Sequence, residues 1–395
     1  MEILLALLMM FWGNLEDRHP DVTWETILQA AVEAQVSRQE EEQAAFPAKD
    51  DFRDETWVKV DPQKETAPVV KGIFSTAYSA GGSRLDTLIR LIDESGLNAI
   101  VIDVKEDKGV ITYEMNLPGF GEFATAQPII RDIGALMARL EEHGIYPIAR
   151  IVVFKDTLLA EKRPDLSFLN PDGSVWRNGR GESFVNPYKE EVWQYNVEVA
   201  KQAVKAGFKE IQFDYVRFPE GFETRADSLT YYSDERPRTE VVAEFVRYAR
   251  EQLNPLGARV SVDIFGFAAS VPSADGIGQD FNEISRYVDV ICPMVYPSHY
   301  STGWFGSEVP DAEPYRTIDG AMKDTREKLK QIENLKPIVR PWIQDFTATW
   351  VPGHIPYGKA EVEAQIRALK DNGIEEFLLW NPSNVYTQGV NYDLE

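Results

Sequence analysis

The run F-D-Y-V-R-F-P, residues 213–219, brings a carboxylate and a guanidinium to the end of a strand pattern. Ile211 and Phe213 alternate with more polar neighbours, as the residues of a strand do. Pro219 ends the ladder because proline has no amide hydrogen to donate. Asp214 and Arg217 are therefore predicted to lie where a strand opens into a loop. In a sheet or barrel of parallel strands, ligands bind at that edge.

Charged, polar and aromatic residues end the other predicted strands as well. Asp263 ends the fifth strand, and the remaining candidates are Asp103 and Lys105 on strand two, Arg150 on strand three, Met294 and Tyr296 on strand six, Trp342 and Gln344 on strand seven, and Trp380 and Asn381 on strand eight. Carboxylates on adjacent strands beside several aromatic rings are typical of glycoside hydrolases. Two carboxyl groups about 5 to 10 Å apart cleave the bond, while aromatic rings bind the apolar faces of sugars.

The elements that position these residues alternate along the chain. Strand patterns cover residues 70–78, 98–104, 146–154, 210–216, 259–265, 288–296, 337–343 and 376–380. Helical spacing of apolar residues occupies the intervals 84–94, 131–143, 187–206, 239–253, 280–286, 318–332 and 359–372. This alternation predicts an α/β fold, a (β/α)8 TIM barrel with an N-terminal extension and loop insertions. A doubly wound sheet is the alternative, but no G-x-G-x-x-G follows the first strand to bind a dinucleotide.

Two domain regions are predicted. Residues 70–395 form the barrel, and residues 1–69 form a partly helical leader or linker, because residues 47–68 are charged and rich in proline. The apolar run at residues 3–12 is too short to span a membrane, which needs about 20 residues. One interpretation is the remnant of an export signal, which favours a secreted or cell-envelope location. The other is a short segment that packs on the barrel.

Composition excludes several classes of function. The formal net charge of −23 argues against binding nucleic acid or an anionic membrane, since phosphate groups need clustered lysine and arginine. The sequence contains no phosphate-binding loop, no C-x-x-C, no H-E-x-x-H and no G-x-S-x-G, and its four histidines lack ligand-like spacing. We therefore expect neither a metal site nor a cofactor. Cys292 is the only cysteine, so no intrachain disulfide can form.

From about residue 70 to residue 384, the chain resembles a bacterial family of barrel proteins described as glycoside hydrolases. The matching motifs are F-D-Y-V-R-F-P, V-D-I-F-G, P-M-V-Y-P and L-W-N-P-S-N. More distantly, acids at the ends of strands four and five resemble the alpha-amylase-like barrels, and M-x-Y with a strand-eight tryptophan resembles the chitinase-like barrels. The chain lacks the D-x-x-D-x-D-x-E run of chitinases and has Asp263 where amylase-like enzymes have glutamate.

The residues and the resemblance together predict a glycoside hydrolase that cleaves a polysaccharide or oligosaccharide, most simply with retention of configuration. Asp214 is the expected nucleophile and Asp263 the expected acid and base, with Arg217 keeping Asp214 ionised. The other strand-end candidates are expected to bind the carbohydrate. Two alternatives stay open: a non-catalytic glycan-binding barrel of the cell envelope, and a metal-dependent hydrolase with Asp103, Asp214 and Asp263 as ligands.

Overall fold

The structure is a computed structural model that describes residues 67–333 and 336–394. Eight parallel barrel strands follow in chain order: β1 (Lys71–Ser75), β2 (Ala99–Lys105), β3 (Tyr146–Val152), β4 (Glu210–Asp214), β5 (Arg259–Phe265), β6 (Val290–Met294), β7 (Ile338–Val339 and Trp342–Gln344) and β8 (Phe377–Trp380). Each strand pairs with the next, and β1 also pairs with β8, so the sheet closes on itself. The predicted α/β barrel is confirmed.

Helices cover the outside of the barrel. In the described part of the chain they are Ala77–Ala80, Arg84–Asp93, Ile133–Glu142, Thr157–Lys162, Glu190–Ala206, Arg238–Leu253, Phe281–Ser285, Pro314–Lys330 and Lys359–Asp371. Seven of them match the predicted helical intervals. Gly207 ends the helix Glu190–Ala206 with φ 119°, a left-handed conformation that glycine adopts without steric cost, and the chain then enters β4.

Some predicted strands are shorter in the structure, for identifiable reasons. Strand one ends at Ser75 because Thr76 caps a short helix, Ala77–Ala80. Strand four ends at Asp214 because Tyr215 has φ 51°, outside the strand region. Strand seven is interrupted at Arg340 and Pro341, and proline has no amide hydrogen for the ladder. The short strands Val110–Ile111 and Thr125–Ala126 pair within the loop that follows β2.

Two hydrophobic layers hold the barrel. Side chains on the outer faces of the strands, such as Ile100, Ile211 and Val262, pack against the helices in the large core. A smaller cluster fills the barrel interior and includes Val101, Ile148, Val290, Cys292 and Leu378. Strands buried on both faces read as nearly continuous apolar runs, which is why the sequence revealed them.

The floor of the barrel, at the amino ends of the strands, contains buried charges. Arg340 Nη1 donates to Glu210 at 2.6 Å, and Arg340 Nε donates to Glu376 at 2.7 Å. Arg340 and Glu210 have no exposed surface. Arg259 is paired in register with Glu210, so two arginines and two glutamates meet here. The floor consists of the four residues Glu210, Arg259, Arg340 and Glu376.

The predicted leader, residues 1–69, lies almost wholly outside the described residues, and so does the apolar run at residues 3–12. Within the described ranges, no helix has the length and apolar character needed to cross a membrane.

Candidate active site

Asp214 is the last residue of β4 and faces the open end of the barrel. The left-handed conformation of Tyr215 turns its own amide back, so that Tyr215 N donates to Asp214 Oδ1 at 2.6 Å. A tyrosine at positive φ is strained, and such strain is concentrated at functional sites. The carboxylate of Asp214 is thus held in one orientation by its own backbone.

Arg150 on β3 is the guanidinium that binds Asp214. Its Nε and Nη2 donate to Asp214 Oδ2 at 2.9 and 2.6 Å, and its Nη1 donates to Asp103 Oδ1 at 2.6 Å. Nη2 also donates to Asp107 at 2.9 Å. One planar fork therefore holds three carboxylates, a geometry that lysine cannot reproduce.

Asp103 and Asp107, which both contact Arg150, differ in pKa. Burial raises the pKa of Asp103 to about 6, although the positive charge of Arg150 acts in the opposite direction. Burial also acts to raise the pKa of Asp107, but the charges of Arg150 and Lys155 outweigh it and lower that pKa. Lys155 Nζ lies 3.2 Å from Asp107 and 2.8 Å from Glu182. The mouth of the barrel is therefore negatively charged but contains a carboxyl that titrates near neutral pH.

Asp263 on β5 is in a different environment from Asp214. It is 2% exposed, and its Oδ1 accepts a hydrogen bond of 2.7 Å from the neutral indole Nε1 of Trp342. Burial raises the pKa of Asp263 well above its usual range, and the nearby negative charge of Asp214 raises it further. Burial and the neighbouring negative charge therefore both favour the protonated form of this carboxyl.

The two aspartates occupy neighbouring positions of adjacent strands. Phe213 pairs in register with Val262, and Asp214 and Asp263 are the next residues of β4 and β5. Adjacent strands lie about 4.8 Å apart, and residues at matching positions point to the same face of a sheet. The two carboxyl groups therefore stand side by side at the barrel mouth.

Asp214 and Asp263 line the same cavity, whose volume is about 750 Å³. Aromatic rings form much of the remaining wall, namely Tyr215, Phe265, Phe267, Tyr296, Tyr300, Trp342 and Trp380. Trp342 and Trp380 meet edge to face at 5.8 Å, and Tyr296 lies 6.4 Å from Trp380. A paired acid site with aromatic walls can bind a sugar ring and act on its glycosidic oxygen.

Comparison with known proteins identifies the family of the barrel. A family model described as "Putative glycosyl hydrolase domain" matches residues 72–386. The chain belongs to this family. The match spans the whole barrel from β1 to the segment beyond β8 and includes every strand-end residue discussed above. The resemblance inferred from the motifs is confirmed. No curated protein matches the chain.

Two solved structures of low sequence identity show the same fold. The glycoside hydrolase domain of PgaB (BpsB) from Bordetella bronchiseptica aligns with a TM-score of 0.56 and 12% identity, over 80% of this chain and 94% of its own. A beta-galactosidase from Halorubrum lacusprofundi aligns with a TM-score of 0.54 and 13% identity, over 79% of this chain and 52% of its own. A hypothetical protein from Ruminiclostridium thermocellum is 33% identical over 48% of this chain and 96% of its own, with a TM-score of 0.44. The family match, together with the fold, makes the domain a glycoside hydrolase-like barrel.

Most of the predicted site residues meet at the mouth of this family's barrel. The cavity wall includes Arg150, Asp214, Arg217, Asp263, Met294, Tyr296, Trp342 and Trp380. Asp103 lies behind Arg150 and contacts the site through that guanidinium.

The sequence suggested that Arg217 holds Asp214. In the structure Arg217 lies at the cavity but makes its hydrogen bonds elsewhere. Its Nη1 donates to the carbonyl of Phe218 at 3.1 Å and its Nη2 donates to Glu220 at 3.0 Å. The guanidinium lies over the rings of Phe265 at 4.6 Å and Tyr215 at 4.8 Å. The expected partner of Asp214 is replaced by Arg150, because β3 and not the loop after β4 carries a guanidinium beside it.

Lys105 is not brought into the site. The register between β2 and β3 shifts between Asp103 and Lys105, which is the signature of a β-bulge. The bulge turns Lys105 to the outer side of the barrel, where Nζ lies 2.7 Å from Asp156 and 3.0 Å from Asn196. It is fully buried there and ties β2 to the helix Glu190–Ala206.

Gln344 and Asn381 also do not line the cavity, and their side chains bind other parts of the barrel mouth. The loop after β6 covers Gln344, whose Nε2 donates to Asp311 at 2.9 Å and whose Oε1 accepts from the amide of Ser298 at 3.1 Å. Asn381 organises the turn after β8, since its Oδ1 accepts from the amide of Ser383 at 2.9 Å.

Sequence reasoning missed the charged residues that loops bring to the cavity. These are Asp107, Arg180, Glu220 and Glu223. Asp107 follows the strand-end Asp103 closely enough to have been suspected, but nothing in the pattern singled out the other three. Among the described residues, no group of three or more histidine, cysteine or acidic side chains has a geometry that could hold a metal ion. Asp103, Asp107 and Asp214 converge on the guanidinium of Arg150.

Proposed function

We propose that this barrel hydrolyses glycosidic bonds of a polysaccharide or oligosaccharide, with Asp214 as nucleophile and Asp263 as acid and base. The observation that carries the proposal is the pair of aspartates at neighbouring positions of adjacent strands. Asp214 forms an ion pair with Arg150, whereas Asp263 is buried and accepts a hydrogen bond from the indole of Trp342. Carboxyl groups in opposite environments divide the roles of base and acid in this chemistry.

The reaction follows from these environments. Asp263 donates its proton to the glycosidic oxygen, and the bond from that oxygen to the anomeric carbon breaks while an oxygen of Asp214 forms a bond to the same carbon. Asp263, now a carboxylate, takes a proton from water, and the water oxygen displaces Asp214. The negative charges of Asp107 and Asp214 favour the positive charge that develops on the sugar ring in both steps.

Retention of configuration is the stereochemical outcome that this proposal favours. Retaining enzymes place their carboxyl groups about 5 to 5.5 Å apart, whereas inverting enzymes need about 6.5 to 9.5 Å to admit a water molecule. Neighbouring positions on adjacent strands agree with the shorter separation. Proton NMR of the first product formed distinguishes the two outcomes, since a retaining enzyme releases a product with the same anomeric configuration as the substrate.

The activity itself is tested on the purified chain with hydroxyethyl cellulose, glycol chitosan, laminarin and galactomannan, and products are identified by mass. Asp214→Asn is expected to abolish release of products and to leave glycan affinity largely intact. Asp345→Asn is the matched control, because Asp345 also follows a barrel strand but is held by Thr387 away from the cavity. Full activity of Asp214→Asn would contradict Asp214 as the nucleophile. Binding of a glycan without release of products by the wild type would favour the alternative of a non-catalytic glycan-binding barrel.

The pH dependence gives a second test. Because the pKa of Asp263 is raised and its protonated form is the one that acts, activity should fall as the pH rises through that pKa. In Asp263→Asn this alkaline decline should disappear together with most of the turnover.

A further inference from the structure

The loop after β7 presents an exposed tryptophan beside the cavity. Trp350 is 64% exposed, whereas the other tryptophans of the described residues are buried or half-buried. Its ring stacks on Phe346 with centroids 5.9 Å apart and planes 21° apart. Stacking on Phe346 occupies one face of the indole and leaves area on the other side open to solvent.

Ring contacts connect Trp350 with the active-site cavity. Phe346 lies 6.4 Å from Tyr296, and Tyr296 lies 6.4 Å from Trp380. Tyr296 and Trp380 both line the cavity that contains Asp214 and Asp263. An aromatic track therefore leads from the acid pair to the protein surface. Below, the aromatic track means Trp380, Tyr296, Phe346 and Trp350.

The loop that carries the outer end of the track is anchored to the barrel. The amide of Tyr357 donates to Thr347 Oγ1 at 3.0 Å, and the Tyr357 hydroxyl donates to the carbonyl of Asp311 at 3.0 Å. Within the loop, the amide of His354 donates to the carbonyl of Val351 at 3.0 Å. These bonds fix the loop on both sides of Trp350, so little conformational freedom is lost when a ligand binds the indole.

Exposure alone would not mark Trp350 as a site, since single exposed apolar residues are common on protein surfaces. Leu256, for example, is 49% exposed after the helix Arg238–Leu253, at the amino end of the barrel. Trp350 differs because ring contacts through Phe346 join it to Tyr296, which lines the cavity. A flat, amphipathic ring at that position matches the apolar face of a pyranose.

We infer that Trp350 and Phe346 form an outer subsite that binds a sugar residue of the same glycan chain whose neighbouring part occupies the cavity. This inference rests on the proposed function and extends it: the substrate is a chain long enough to reach from the acid pair to Trp350. Short glycosides fill the cavity alone and leave the outer subsite empty.

Affinity electrophoresis of the full chain in gels containing hydroxyethyl cellulose, glycol chitosan, laminarin or galactomannan tests the subsite. At least one polymer should retard the wild-type protein, and Trp350→Ala should weaken that binding by about tenfold, which corresponds to about 1.4 kcal/mol. Leu256→Ala is the control and should migrate as the wild type does. The melting temperature of Trp350→Ala should stay close to that of the wild type, because the removed ring is mostly exposed.

Calorimetric titration with the disaccharide and hexasaccharide of the retarding polymer separates this role from a structural one. Trp350→Ala should weaken binding of the hexasaccharide about tenfold and leave binding of the disaccharide unchanged. The inference would be overturned if Trp350→Ala bound the disaccharide and the hexasaccharide equally more weakly, or bound both as the wild type does. It would also be overturned if none of the four polymers retarded the wild type. Trp350-dependent dimerisation in sedimentation velocity would overturn it too, since it would assign the surface to a second copy of the chain.

The same experiment distinguishes the subsite from the proposed function. Trp350-dependent binding without release of products would support the subsite and contradict hydrolysis. Hydrolysis of short glycosides that does not depend on Trp350, with long chains bound equally well by Trp350→Ala, would support the acid pair and contradict the subsite.

Discussion

The two ends of the barrel each place carboxylates around an arginine, and they use them differently. At the floor, Arg340 and Arg259 face Glu210 and Glu376, so the charges are balanced, and Arg340 has no exposed surface. At the mouth, the single guanidinium of Arg150 contacts three aspartates, one of which also pairs with Lys155, and Asp263 adds a fourth carboxyl beside them.

Similar side chains stabilise the fold at the floor and remain available for chemistry at the mouth. The buried cluster at the floor pairs opposite charges with each other and is closed to a ligand. An acid-rich cluster at an open cavity can still bind protons or a ligand: the pKa of Asp103 is about 6, and burial raises the pKa of Asp263 well above its usual range. Variants at the floor should therefore change stability, and variants at the mouth should change function.

Arg340→Met should have the largest effect. It leaves Glu210 and Glu376 buried without their guanidinium, and breaking such a pair typically costs about 3 to 5 kcal/mol. Chemical denaturation should show this loss in the free energy of unfolding. Turnover per folded molecule should not change, and a loss of stability below about 1 kcal/mol would contradict a structural role for the floor.

Asp103→Asn should change how stability depends on pH. The pKa of Asp103 is about 6 in the folded protein, above its ordinary 3.8, so the folded state binds this proton more tightly than the unfolded state. Raising the pH from 4 to 7 therefore removes up to about 3 kcal/mol from the wild type, and the variant lacks this term. The free energy of unfolding of the variant, relative to that of the wild type, should therefore increase as the pH rises from 4 to 7. A difference independent of pH would contradict the assignment.

Arg150→Lys should reduce turnover by at least about a hundredfold, or about 2.7 kcal/mol of transition-state stabilisation. Lysine cannot bind Asp214, Asp103 and Asp107 at once, so Asp214 loses its orientation. The loss of stability should be smaller than in Arg340→Met, since a positive charge remains and the cavity admits water. Greater loss of stability at the mouth than at the floor would reverse the comparison.

Arg217→Lys should have the smallest effect, a rise in KM of about tenfold with kcat little changed. Arg217 lines the cavity on a platform of two rings and pairs with Glu220, so it is placed to contact substrate and not to act through Asp214. Steady-state kinetics with one substrate measures both constants. A fall in kcat at constant KM would show instead that Arg217 acts on the nucleophile.

The sequence predicted the barrel because its signals are local and repeated. Apolar strand runs, helical spacing and glycine at helix ends recur around the whole barrel, and an error of two residues at one strand end does not alter the topology. Pro341 and the left-handed Tyr215 moved individual boundaries without changing the order of the elements.

The candidate site was less predictable because it depends on which way a side chain points at a strand end. Asp214 and Asp263 follow regular strands, and both reach the cavity. Lys105 follows a bulge, which reverses its direction, and a bulge leaves no clear mark in the sequence. The pairing of Asp214 with Arg150 needs the register of β3 and β4, which only the folded chain supplies.

The turnover and melting temperature of Asp263→Asn test the central claim most directly. Asparagine has nearly the shape of the protonated carboxyl but cannot donate a proton to a glycosidic oxygen. We expect turnover to fall by at least about a hundredfold, the lower range for a general acid, and the melting temperature to equal or exceed that of the wild type. A variant that folds normally and retains full turnover would contradict the assignment of Asp263 and with it the two-carboxylate mechanism.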